Sequence, residues 1–169
     1  MSNAKNYLTH LLVLCFIQIV VLDNIHLSSY LHVNIYIMAI FLLPYRLKGV
    51  PLLLYAFFLG LLMDLAGSTA GIHAAAATLL AYIRPRLLHL TAIREDMDDA
   101  RGFLHKVDFA WFFKYVSLST LLFNIVFILA EAFTLGNLLL SALRIISSAL
   151  VSLLFILLYY FVGLKKVRR

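Results

Sequence analysis

Long apolar runs alternate with short polar breaks along this chain, and the basic residues are crowded into every second break. Of the fourteen Lys and Arg residues, thirteen are Lys5, Arg46, Lys48, those between Arg84 and Lys114, and those from Lys165 to Arg169. The other breaks hold none, and Arg144 alone departs from the rule, a turn or two inside the sixth run. Clustered Lys and Arg stay on the cytoplasmic side of a membrane, so this alternation sets both a polytopic topology and its orientation.

Composition supports the same class. The chain is 64% hydrophobic and 13% charged over 169 residues, with a mean hydropathy of +0.99. A soluble domain of that size cannot hide so much apolar surface. A pI near 9.6 raises the question of nucleic acid. The basic residues flank apolar runs, however, so topology and anionic headgroups account for them and no nucleic-acid partner is expected. Cys15 is the single cysteine, which excludes an internal disulfide and a cysteine metal cluster. It reads as a small buried hydrophobe. Residues 7–22 resemble a signal peptide in length. Asp23-Asn24-Ile25-His26 is not a small-residue cleavage site, and further runs follow.

A helix crosses the hydrocarbon core in about 20 residues. The pattern predicts spans over residues 7–22, 30–44, 50–65, 71–90, 109–133 and 138–164. The expected fold is therefore an all-α integral membrane protein, a single domain over residues 1–169, with six transmembrane helices and both termini cytoplasmic. The continuous runs lack the alternating polarity of a membrane β-barrel. The second span is interrupted at its start by His32 and Asn34 and is expected to be short, tilted or partly interfacial. Pro51 suits the first turn of the third helix, whereas Pro85 is expected to kink the fourth or end its regular part.

Residues 91–108 form the one sizeable polar segment. Ile93, Met97, Ala100, Leu104 and Val107 recur on one helical face, with Arg94, Glu95, Asp98, Asp99, Arg101 and Lys106 opposite. The pattern fits either a short amphipathic helix on the cytoplasmic surface or a solvated loop. Gly102 weakens the helix. Its carboxylates lack the spacing of a calcium loop.

Two constellations stand out. Asp64 ends the third span and His73 begins the fourth. Ionisable groups at membrane depth are expensive and need a partner or a wet cavity. Such a pair can serve as a proton relay, a metal pair or a polar clasp tying two helix ends, and the clasp is the reading adopted. Glu131 and Arg144 are the second. They either meet across a short loop, or Arg144 snorkels outward to a headgroup or partner. Gly60, Gly67 and Gly71, with Ala74 to Ala77, make a small-residue surface for close helix approach; Gly67 to Gly71 has GxxxG spacing but reads as a turn and not a dimer motif, and the alanine run is expected to pack within this chain. Arg84-Pro85-Arg86 reads as a stop-transfer flank. His10, His26, His32, His89 and His105 are scattered and suggest no ligand set. The sequence carries no Walker A, dinucleotide or GxSxG motif, so no catalysis, metal or cofactor is expected.

Three segments carry a family resemblance: residues 35–44 (IYIMAIFLLP), 60–85 (GLLMDLAGSTAGIHAAAATLLAYIRP) and 131–148 (EAFTLGNLLLSALRIISS). In these the chain resembles the rod shape-determining protein MreD of Bacteroidetes-type bacteria. Gly60, Asp64, Gly71, His73, Ala74 and Tyr82 fall where that family's central motif places them. The resemblance implies a non-enzymatic component of the inner (cytoplasmic) membrane that associates with MreC, and through it with MreB and the wall synthases. It also implies a fold similar to the S components of ECF transporters. Two functions are thereby expected: a scaffold binding another protein's membrane helix and juxtamembrane segment, or a small-molecule binder with an outward-facing pocket formed by Asp64, His73, Glu131 and Arg144. A membrane enzyme built on Asp64 and His73 is a third.

Overall fold

The computed structural model describes residues 2–22, 31–44, 47–91, 109–132 and 138–164. Its elements are α1 (Ser2–Phe16, continued by a wider π-helical stretch, Ile17–Leu22), α2 (Met38–Phe41), α3 (Val50–Gly67), α4 (Ile72–Thr91), α5 (Phe109–Ala132) and α6 (Leu138–Tyr159, continued by Tyr160–Leu164). Strands are absent among the described residues. Val50–Gly67, Phe109–Glu131 and Leu139–Val162 are each long and apolar enough to cross a membrane, which makes this an all-α membrane protein. The apolar part of the first helix, Thr9–Leu22, is shorter. The segment 92–108, including the expected amphipathic face, lies outside the described residues, as do His26 and His105.

Local chemistry sets the helix ends. Pro51 lies in the first turn of α3, where its missing N–H leaves no bond unmade. At the other end Ser68 takes a left-handed conformation (φ 53°), and its N–H bonds the Asp64 carbonyl. Helix α4 continues past Pro85 to Thr91, so of the two effects expected of the proline, a kink or an end, the end does not occur. Helices α3, α4, α5 and α6 pack in chain order, each on the next.

The expected second transmembrane helix over residues 30–44 is corrected. Within the described residues 31–44 the one helical piece is α2, of four residues, preceded by irregular backbone. The segment is nevertheless the core: Tyr36, Ile37, Met38, Ile40 and Phe41 are all fully buried. It runs from His32, beside α6, to Leu43, beside α4. Non-helical backbone is viable at membrane depth only where protein satisfies it. Here polar side chains of two helices do so. Gln18 Nε2 donates to the Val33 carbonyl at 2.8 Å, and Gln18 Oε1 accepts from Ile35 N–H at 2.9 Å. Ser148 Oγ accepts from His32 N–H at 3.1 Å, and Ser152 Oγ from Asn34 N–H at 3.0 Å. Val33, Ile35 and Ile37 add β-branched residues that form helices poorly.

Gln18→Leu leaves the carbonyl of Val33 and the N–H of Ile35 without that partner in the core. The expected loss is about 2–4 kcal/mol, read as a lower midpoint in thermal or dodecyl-sulfate unfolding. Leu12→Ala, at an exposed position, is expected to change the midpoint little.

Candidate functional site

The C-terminal end of α3 is built around Gly60 and Asp64, one helical turn apart on the same face. Gly60 faces the backbone of α4 so closely that a Cβ there would lie 2.5 Å from both Ala74 Cα and the His73 carbonyl oxygen. Only a residue without a side chain lets the helices cross at this distance. One turn later the Asp64 side chain, 3% exposed, closes the hairpin. Oδ1 accepts from the Thr69 hydroxyl and from His73 N–H at 3.0 Å, and Oδ2 accepts from Ala74 N–H at 2.8 Å. Asp64 thus caps the N-terminus of the following helix from the preceding one, where N–H groups have no intrahelical acceptor and the helix dipole favours negative charge.

The polar clasp expected from the sequence is present, but its partner is the backbone of His73. The imidazole turns elsewhere: Nδ1 shares a 3.0 Å hydrogen bond with the Tyr36 hydroxyl. Gly71 serves the turn through its positive φ of 85°. Gly67 is the exposed last residue of α3, its nearest neighbour Thr69 Cγ2 at 3.9 Å, and takes no part in close helix contact. Of the three glycines, Gly60 alone supports close packing. Of the alanine run expected to pack inside the chain, Ala74, Ala76 and Ala77 are buried and Ala75 is exposed.

Glu131 and Arg144, left open between pairing and snorkelling, pair. Arg144 Nη2 donates to Glu131 Oε2 at 3.0 Å and lies 3.1 Å from His32 Nε2. His32 Nε2 is itself 3.4 Å from Glu131 Oε2. His32, one of the scattered histidines from which no ligand set is expected, joins them because the start of the irregular segment puts it there. Arg144, Ser148 and Ser152 recur every four residues along α6, and this polar stripe was the available signal. The His32 and His73 rings both lie on Phe127, with centroids 5.3 and 4.6 Å from it. The two constellations therefore join at one end of the bundle, in the order Asp64, His73, Phe127, His32, Glu131 and Arg144.

The Arg144 and Glu131 side chains are 22% and 33% exposed, which screens the pair in part. Glu131→Gln is expected to destabilise by about 1–2 kcal/mol. In a double-mutant cycle with Arg144→Met the combined loss should be smaller than the sum, since each single change strands the other partner. Additive losses would mean that the contact contributes nothing.

At the other end the stop-transfer reading of Arg84 is corrected. Arg84 is 1% exposed, and its Nη2 donates to the Leu43 carbonyl at the end of the irregular segment. Arg86 does face outward, its guanidinium 5.5 Å from the Tyr82 ring centroid. Pro85 holds no polar contact that bears on a site. No group of three His, Cys, Asp or Glu among the described residues could hold a metal ion.

The class these features define is an all-helical membrane protein with a core segment of irregular backbone and a polar network at one end. Comparison of the chain with protein-family models, curated proteins and solved structures finds no match.

Proposed function

We propose that this chain is a non-enzymatic scaffold of the bacterial cell-elongation machinery, an MreD-type protein of the inner membrane that binds MreC. Through MreC it acts with MreB and the wall synthases to support cell shape and peptidoglycan synthesis. In this reading the chain crosses the membrane six times with both termini cytoplasmic, the second crossing being the irregular segment 31–44.

One observation carries the proposal. The residues that looked most reactive are occupied in holding the fold: Asp64 accepts three hydrogen bonds within its own hairpin, and Glu131 is held by Arg144. What the bundle offers its surroundings is apolar helix surface. On α6 the exposed Leu139, Leu143, Ile146, Leu150, Leu154 and Leu158 run along one side. Membrane helices associate through packing on such faces. The test is purification of the tagged chain from native membranes. MreC is expected to accompany it, and depletion of the chain is expected to turn rods into spheres. Unchanged shape and wall growth after depletion would sink the reading.

A second reading, an S-component-like binder of a small molecule, is favoured by one feature. His32, Tyr36, His73, Glu131 and Arg144 converge at one end, and Arg144 Nε is buried there without a hydrogen-bond partner. Thermal stabilisation by a vitamin-like compound, lost in Arg144→Met, would favour this reading over the scaffold.

A further inference from the structure

Arg144 Nη2, Glu131 Oε2 and His32 Nε2 form a closed triangle with sides of 3.0, 3.1 and 3.4 Å. Its corners come from α6, α5 and the start of the irregular segment. A guanidinium keeps its charge in proteins and has donors only. The 3.1 Å contact between Arg144 and His32 is therefore a hydrogen bond only when Nε2 offers its lone pair, which leaves the ring neutral with its proton on Nδ1. The 3.4 Å side, from Nε2 to Glu131, becomes a hydrogen bond only when Nε2 carries a proton. One ring nitrogen thus has two alternative partners, and its protonation selects between them. The shorter contact is the one to Arg144, so the geometry is that of the unprotonated nitrogen.

The same residue ties the irregular segment to α6. Its N–H donates to Ser148 Oγ at 3.1 Å, one turn along α6 from Arg144. Its carbonyl accepts from Ser152 Oγ at 3.4 Å, one turn further. The ring bond to Arg144 extends this seam to the end of the bundle, where the His32 side chain is 31% exposed and open to protons. Among the described residues the ring faces Glu131 and Phe127 of α5 and Arg144 of α6. Across Phe127 lies the His73 imidazole of α4, bonded to the Tyr36 hydroxyl of the irregular segment itself. Asp64 of α3 is taken up by His73 N–H, Ala74 N–H and the Thr69 hydroxyl. Asp23 and His26 lie outside the described residues and are controlled by substitution below.

We propose that His32 is a proton-operated latch between the irregular segment and α6. Uptake of a proton at Nε2 removes the lone pair that Arg144 holds and sets two cations against each other at one carboxylate oxygen. The ring then bonds Glu131, while the backbone bonds to Ser148 and Ser152 remain. Acid transfers one tie of the segment from α6 to α5. The latch is independent of the scaffold reading; with both termini cytoplasmic, as proposed above, it faces away from the cytoplasm and responds to the pH outside.

The test follows thermal unfolding of the full chain in neutral detergent between about pH 8 and about pH 5.5, the range that spans an imidazole's ordinary titration. An unfolded chain binds that proton near pH 6.5, whereas the folded triangle is built for the neutral ring, so stability is lost as pH falls. The wild type is expected to lose about 3 °C in Tm over this range. His32→Gln, which cannot take up a proton, should lose most of that fall. Asp23→Asn, His26→Gln and His89→Gln should keep it. Should His32→Gln not fold, Arg144→Met is read instead: the protonated ring then meets Glu131 without a competing cation, and Tm should hold or rise on acidification. An equal fall in wild type and His32→Gln overturns the proposal and assigns the titration to another group. So does a fall in Arg144→Met as large as that of the wild type, or a wild-type Tm that does not change with pH.

Discussion

Gly60→Ala is expected to be the most damaging glycine-to-alanine change among the described residues. The added Cβ would sit 2.5 Å from Ala74 Cα and from the His73 carbonyl oxygen, both backbone atoms. No rotamer relieves such a contact, so α3 and α4 must separate. Overpacking of a well-packed site costs about 1–3 kcal/mol, and a contact of backbone on backbone belongs at or above the top of that range. Separation also pulls Asp64 away from the N-terminus of α4, because the two residues share a helix face. The readout is the unfolding midpoint in detergent together with the amount of protein recovered from membranes. Gly67→Ala is the control, since its nearest neighbour is the flexible end of Thr69 at 3.9 Å. Comparable losses at the two glycines would refute the close crossing.

Asp64→Ala is the second large effect. It removes the acceptor for His73 N–H, Ala74 N–H and the Thr69 hydroxyl together. Loss of a capping residue costs about 0.5–2 kcal/mol, and each buried donor left without a partner adds about 1–3 kcal/mol, so a total of about 3–5 kcal/mol is expected. Asp64→Asn should recover part of the loss, because one amide oxygen still accepts while the amide nitrogen faces N–H donors. If Asp64 acted instead as a proton carrier, Asp64→Asn would fold with near-normal stability and fail only in function. Complementation beside unfolding midpoints separates the two roles. The double variant Gly60→Ala/Asp64→Ala should lose less than the sum, since both changes open the same crossing.

The chain shows where local reading succeeds. The α3–α4 hairpin was legible because its signals are adjacent: a glycine, an aspartate one turn later, a small-residue turn and a histidine. The clasp followed from the high cost of an unpaired carboxylate at that depth. The atoms it binds did not follow, because a backbone N–H leaves no mark in a sequence. Glu131 and Arg144 were recognised as a candidate pair, but pairing and snorkelling have the same residue pattern and differ only in helix rotation and loop path.

Residues 31–44 show where local reading fails. An apolar run of that length looks the same whether it is a lipid-facing helix or a buried irregular strand of chain. The difference lies in where the backbone finds its hydrogen bonds. Gln18 is 15 and 17 residues from its partners, and Ser148 and Ser152 are 116 and 118 residues from theirs. Arg84 escapes local reading for the same reason. A basic residue near the end of an apolar run resembles a topological flank until helix rotation turns it inward.

Hydropathy and charge along the chain determined by themselves that this is an all-helical membrane protein. Partitioning between lipid and water acts on each stretch of sequence almost independently. The tertiary structure alone decided which polar groups became fasteners and which remained unmet. Asp64 went to a neighbouring helix end, Gln18 and two serines to a stretch of irregular backbone, and Arg84 to a core that gives it one carbonyl. Hydrogen bonding is a matter of distance and direction between parts far apart in the chain, and only the packed bundle sets those.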